Sequence, residues 1–152
     1  MARSGVRGFR ADRLRELRIR AGLSADDLAA RLGISRQAVS TWETGRSTPP
    51  ANKLRHIAEE LDVSISALMP IPESQLRLAD LRALSSLTQV EAAGLLDISP
   101  TVLSDIERGA KKLSANEARA ELMSGVYEMD LQVVRDAWTR TEKNRLRRAR
   151  AL

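Results

Sequence analysis

The 152-residue sequence has no cysteine and a single histidine, His56. Without thiols there is no disulfide scaffold and no thiolate metal site, and the lack of cysteine fits a reducing compartment. His56 lies mid-helix with no ligand-spaced partner, so it reads as a structural or surface residue and no metal is expected. No P-loop, catalytic triad or H-E-x-x-H pattern occurs, so neither an enzyme nor a cofactor is expected. Aromatic residues make up only 3%, which leaves the core to Leu, Ala, Val and Ile. No apolar run approaches the ~18 residues of a membrane span. The leading MARSGVRGFRADR has no apolar segment after its arginines and does not read as a secretory signal. A cytoplasmic protein with no membrane partner is expected.

Hydrophobic residues make up 43% of the chain, a globular value. Abundant Leu, Ala, Arg and Glu, with few β-branched runs, point to an all-α fold. Charge falls in blocks. Residues 1–70 carry 12 basic and 8 acidic side chains, 71–130 carry 6 and 10, and 131–152 carry 7 and 2. A basic first block suits a polyanionic partner.

The most informative stretch is Leu23 to Gly45, LSADDLAARLGISRQAVSTWETG. Ser24 is placed as a helix N-cap, with Asp26 and Asp27 favourable in the first turn. Leu28, Ala29 and Leu32 form one apolar face. Gly33 supplies the left-handed residue that ends the helix, and Ser35 caps a second helix from Arg36. On that second helix Val39 and Trp42 point one way, and Arg36, Gln37, Ser40 and Thr41 occupy a roughly opposite arc. This is the anatomy of a helix-turn-helix, whose second helix enters the DNA major groove.

These residues resemble the Cro/repressor-type (Xre) helix-turn-helix family over about Phe9 to Met69. Ala29, Gly33, Ile34, Val39 and Trp42 fall at the family's structural positions, and Glu43 and Gly45 match its W-E-x-G ending. The resemblance implies a small five-helix, lambda-repressor-like domain and an ion pair between Arg18 and Glu43. It also implies that Arg36, Gln37, Ser40 and Thr41 read bases. Phosphate contacts would come from Ser24, Thr44, Arg46 and Lys53. The family's usual Gln at the start of the first motif helix is Ala25 here, so one backbone clamp is missing. A basic arm with Arg3, Arg7 and Arg10 can compensate by strapping the DNA, or it can be a solvated terminus.

The second half repeats the first at a spacing of 64 residues. Leu14, Leu17 and Arg18 recur as Leu78, Leu81 and Arg82, Ala29 as Ala93, and Ser35 as Ser99. Glu43 and Gly45 recur as Glu107 and Gly109. The groove-facing set becomes Pro100, Thr101, Ser104 and Asp105, so the scaffold is kept and the reading chemistry is not. Gln89, Thr101, Ser104, Arg108, Lys111 and Lys112 remain as possible DNA contacts of this second domain.

The expected organisation is an arm (1–10), a first domain (11–69), a linker (70–75), a divergent second domain (76–138) and a basic tail (139–152), a C-terminal basic helix that is a solvated end, a nonspecific DNA contact or a helical strand of a dimer. The expected function is a sequence-specific, double-stranded-DNA-binding transcription regulator of bacterial or phage type, associated with the nucleoid, repressing by operator occupancy. Two arrangements are open. A homodimer through the acidic second domain would place two motifs on half-sites ~34–36 Å apart. Alternatively, a monomer would read a tandem, asymmetric site. A rival from another class is an interaction module, such as an antitoxin whose second domain binds a protein.

Overall fold

The computed structural model describes residues 5–151. The chain divides into two compact units, Met1–Ile71 and Pro72–Leu152. Both are helical, with no strand among the described residues.

In the first unit, α1 spans Ala11–Arg20, α2 Ala25–Leu32 and α3 Arg36–Glu43. A 3-10 turn over Ala51–Lys53 runs into α4, Leu54–Glu60, and α5 is the single turn Ile65–Leu68. Ser24 and Ser35 cap α2 and α3, accepting hydrogen bonds from the backbone N–H groups of Asp27 and Ala38. Asp27 reciprocates by accepting from the Ser24 N–H at 2.9 Å, and this bond holds its carboxyl below the usual range. The buried faces of α1, α2, α3 and α4 meet in one core that includes Leu14, Leu17, Leu28, Val39, Trp42 and Ile57.

The second unit repeats this plan. After a 3-10 turn over Glu73–Gln75 come α6 (Leu78–Leu84), α7 (Gln89–Leu95) and α8 (Pro100–Glu107). A 3-10 turn over Leu113–Ala115, α9 (Glu117–Tyr127) and α10 (Leu131–Arg150) complete it. The bounds of α8 are those of α3 moved by the 64-residue repeat. The left-handed positions are also repeated. Gly22 and Gly33, at φ 75° and 67°, are matched by Ser86 and Asp97 at 58° and 54°. Each of these side chains carries a conformational cost that glycine avoids. Where the first unit buries Trp42, the second buries Ile106, and it gains aromatic volume from Tyr127 and Trp138.

Two expected boundaries differ in the structure, one between the units and one at the carboxyl end. The linker set at 70–75 contains a structured turn of the second unit, held by Arg140, whose Nη1 donates to the carbonyls of Glu73 and Leu76. The tail set at 139–152 is not a separate segment either, because α10 runs through Trp138 without a break to Arg150. The C-terminal basic helix is thus the distal half of this unit's fifth helix. The cause is Thr141, which is buried although the apolar stripe stops at Trp138. Its hydroxyl donates to the Ala137 carbonyl at 2.7 Å and accepts from the Leu78 N–H at 3.1 Å, so both functions of the group are satisfied inside the unit.

Candidate nucleic-acid interface

The helix α3 is fixed from two sides. Val39 and Trp42 are buried beneath it. At its end Arg18, on α1, donates through Nε and Nη2 to the Glu43 carboxylate at 2.8–3.2 Å. The Arg18 Nη1 also donates to the Leu23 carbonyl at 2.8 Å. One guanidinium therefore ties α1, the α1–α2 corner and α3 together. Both side chains are largely buried, 13% and 8% exposed. Glu43 raises the Arg18 pKa further above its ordinary value. The second unit repeats the device with Arg82, Glu107 and the Leu87 carbonyl.

The opposite face of α3 is open. Arg36, Gln37 and Ser40 are exposed. Arg36 Nη1 rests 3.7 Å from the Asp26 carboxylate on α2, a solvent-exposed pair. Thr41 is half-buried, and its hydroxyl donates to the Ala38 carbonyl at 2.8 Å while accepting from Ser47 at 3.1 Å. Its hydrogen is therefore engaged within the unit. The Thr44 hydroxyl donates to the Ser40 carbonyl at 3.0 Å. Arg46 and Lys53 are exposed, and among the described residues neither is held in an ion pair.

Between α1, α2 and α3 lies a cleft of about 270 Å³, lined by Arg15, Arg18, Ala25, Arg36, Ser40 and Thr44, with Glu43 at its wall. Arg15 is a cationic residue of this face that the sequence reading missed. Its signal was available, because a residue three positions before Arg18 on a helix shares its side. The cleft is open above Ala25. At the matching place in the second unit Gln89 donates through Nε2 to Glu107 at 2.9 Å. That side chain, one of the possible DNA contacts of the second unit, thus makes a bond within its own unit.

The amino-terminal arm is folded onto the first unit from Gly5 onward. The Val6 N–H donates to the Thr48 hydroxyl at 3.3 Å and the Arg10 N–H to the Leu68 carbonyl at 2.9 Å. Arg10 is engaged by both Asp12 oxygens at 2.7–2.9 Å, and Arg7 is exposed. Arg3 lies outside the described residues. In the second unit Thr101 is exposed and Ser104 half-buried, while Arg108 is paired with Asp105. Lys111 and Lys112 are exposed. His56 is half-buried with Nε2 3.5 Å from Glu60, and no cluster of metal-ligating side chains occurs among the described residues. No described helix is long and apolar enough to cross a membrane.

The comparisons with known proteins agree with this geometry. The helix-turn-helix family profile matches twice, over residues 14–68 and 78–133. The HTH-type transcriptional activator BcrR of Enterococcus faecalis is 32% identical over 89 residues. That match covers 57% of this chain and 43% of the relative, so the chain aligns with less than half of that protein's length. No solved structure matches. The duplicated profile, the two Arg–Glu ties and the paired motif helices together establish that the chain belongs to the Xre-type helix-turn-helix family and carries its domain twice.

Proposed function

We propose that the chain is a sequence-specific DNA-binding transcription regulator whose first unit reads its operator with α3. The observation that carries this reading is the contrast between the two motif helices. The open face of α3 offers Arg36 and Gln37, which can bridge guanine O6/N7 and adenine N6/N7. The matching positions of α8 hold Pro100 and Thr101, and Asp105 is turned onto Arg108. Ser40 joins the base-reading set, and Thr41 contributes its surface at the edge. Ser24, Thr44, Arg46 and Lys53 position the DNA backbone, and the exposed Arg7 of the arm joins them. Occupancy of an operator that overlaps a promoter represses, so the regulatory outcome follows from where the operator lies.

Self-association through the second unit is supported by its exposed apolar side chains. Val90, Leu95, Leu122 and Leu146 are more than half exposed there, against Ile19 in the first unit. Selection of bound sites from random duplexes tests the whole reading. A dimer returns inverted half-sites spaced by about one helical turn, ~34–36 Å. Tandem, non-palindromic sites contradict the dimer, and no enriched sequence at all contradicts sequence-specific reading.

The free protein also holds its principal base reader in check. Asp26 attracts Arg36 and places a carboxylate where phosphates would approach. Asp26→Asn is expected to tighten DNA binding several-fold, because an exposed pair is worth about 0–1 kcal/mol and a like-charge repulsion is removed as well. Titration of labelled duplex at fixed salt measures it, and unchanged or weaker binding contradicts the arrangement.

A further inference from the structure

In the second unit the loop after the motif helix is fastened to α10 along its length. The indole N–H of Trp138 donates to the Lys111 carbonyl at 2.9 Å. The Leu113 N–H donates to the Glu142 carboxylate at 3.4 Å. At Gly109 the approach is closest, since a Cβ there would lie 2.6 Å from the Thr141 carbonyl oxygen and 2.9 Å from the Arg145 Cβ. The matching Gly45 of the first unit has only the Ala11 Cβ, at 3.9 Å. Gly109 is thus required by helix contact as well as by its φ of 82°.

This docking gathers charge that is scattered in the sequence. Arg148 lies seven residues beyond Thr141, two helical turns, and so projects on the side of the loop. Lys111, Lys112, Arg145 and Arg148 are all exposed. The acids among them are engaged, Glu142 by the Leu113 N–H and Asp105 by Arg108. In the first unit the same loop position is flanked by a different basic segment. A Cβ at Gly5 of the arm would lie 2.6 Å from the Thr48 hydroxyl, and Thr48 is the repeat partner of Lys112. Each unit therefore sets a basic segment beside the loop that follows its motif helix, once with the arm and once with α10.

From this juxtaposition we infer that the distal half of α10 and the Gly109–Lys112 loop form a sequence-independent binding site for the duplex DNA backbone. The second unit then adds affinity by neutralising phosphates, while α8 reads no bases. The inference rests on the DNA-binding reading of the first unit, but its test separates the two. In the full-length chain, Arg145→Gln/Arg148→Gln is compared with Arg13→Gln/Arg20→Gln, an equal charge loss on the side of α1 away from Arg15 and Arg18. Binding to a selected duplex and to a scrambled one is measured across a salt series.

The α10 pair is expected to weaken both duplexes alike, about tenfold or more near 0.1 M salt, and to lower the salt slope by about 2. The ratio between duplexes stays unchanged and so does thermal stability. An α10 pair that behaves like the α1 pair overturns the inference and leaves the reading of α3 intact. Loss of binding to anionic phospholipid vesicles, with DNA binding unaffected, also overturns it. If the scrambled and selected duplexes bind wild type equally while the α10 pair still lowers the slope, the inference stands and the reading of α3 falls.

Discussion

Replacing Trp138 by alanine is expected to unfold the second unit and leave the first folded. Trp138 is fully buried, and its indole N–H is the bond that holds the Lys111 carbonyl. Truncating a buried tryptophan costs about 3–5 kcal/mol, and the abandoned carbonyl adds to that. At about 0.05–0.15 kcal/mol per residue the unit Pro72–Leu152 has about 4–12 kcal/mol in total, so about half or more of its stability is removed. The fall in melting temperature should exceed about 15 °C. The two tryptophans make the test clean, because Trp42 belongs to the first core and Trp138 to the second. In Trp138→Ala the remaining tryptophan fluorescence follows the first unit alone, whereas helicity follows both. The fluorescence transition should stay in place while part of the helicity is lost early. A single coincident transition, shifted as one, would contradict two separately cored units.

Glu43→Ala should be the most damaging change to the first unit. It strands the Arg18 guanidinium, which cannot lose its proton and keeps its hydrogen bond to the Leu23 carbonyl. Breaking a largely buried pair from one side costs about 2–4 kcal/mol, a drop of roughly 10–20 °C for a small domain. The loss comes from the unpaired charge more than from the lost attraction. The double variant Arg18→Met/Glu43→Leu should therefore recover most of the stability. Calorimetry of the two variants decides it. A Glu43→Ala protein as stable as wild type would mean that Arg18 does not tie α1 to α3.

Much of this fold was legible because local signals and the repeat agreed. Ser24, Ser35 and Ser99 were readable as caps because a short hydroxyl before an apolar period satisfies an otherwise orphan N–H. A shift of 64 residues carries the bounds of α3 onto those of α8 and sets Asp97 where Gly33 takes its left-handed φ. The Arg18–Glu43 and Arg82–Glu107 pairs came from family resemblance and appear as implied. What stayed hidden depends on partners distant in sequence. Thr141 counts as polar in any periodicity, yet it is buried because Ala137 and Leu78 satisfy it. Gln89 stands at a helix start in the sequence, and only the fold brings Glu107 beside it. Thr41 sits on the right arc of α3, but Ala38 and Ser47 engage its hydroxyl. Spacing along a helix places such side chains on a face without saying which neighbour engages them.

Base discrimination is proposed to reside on α3, foremost in Arg36. The most direct test is the ratio of affinities for a selected duplex and a scrambled one, measured at one salt concentration for wild type and Arg36→Ala. A lost bidentate contact is worth about 1–3 kcal/mol, so the ratio should fall about 5- to 150-fold. Binding to the scrambled duplex should change far less. An unchanged ratio would place the reading of sequence somewhere other than α3.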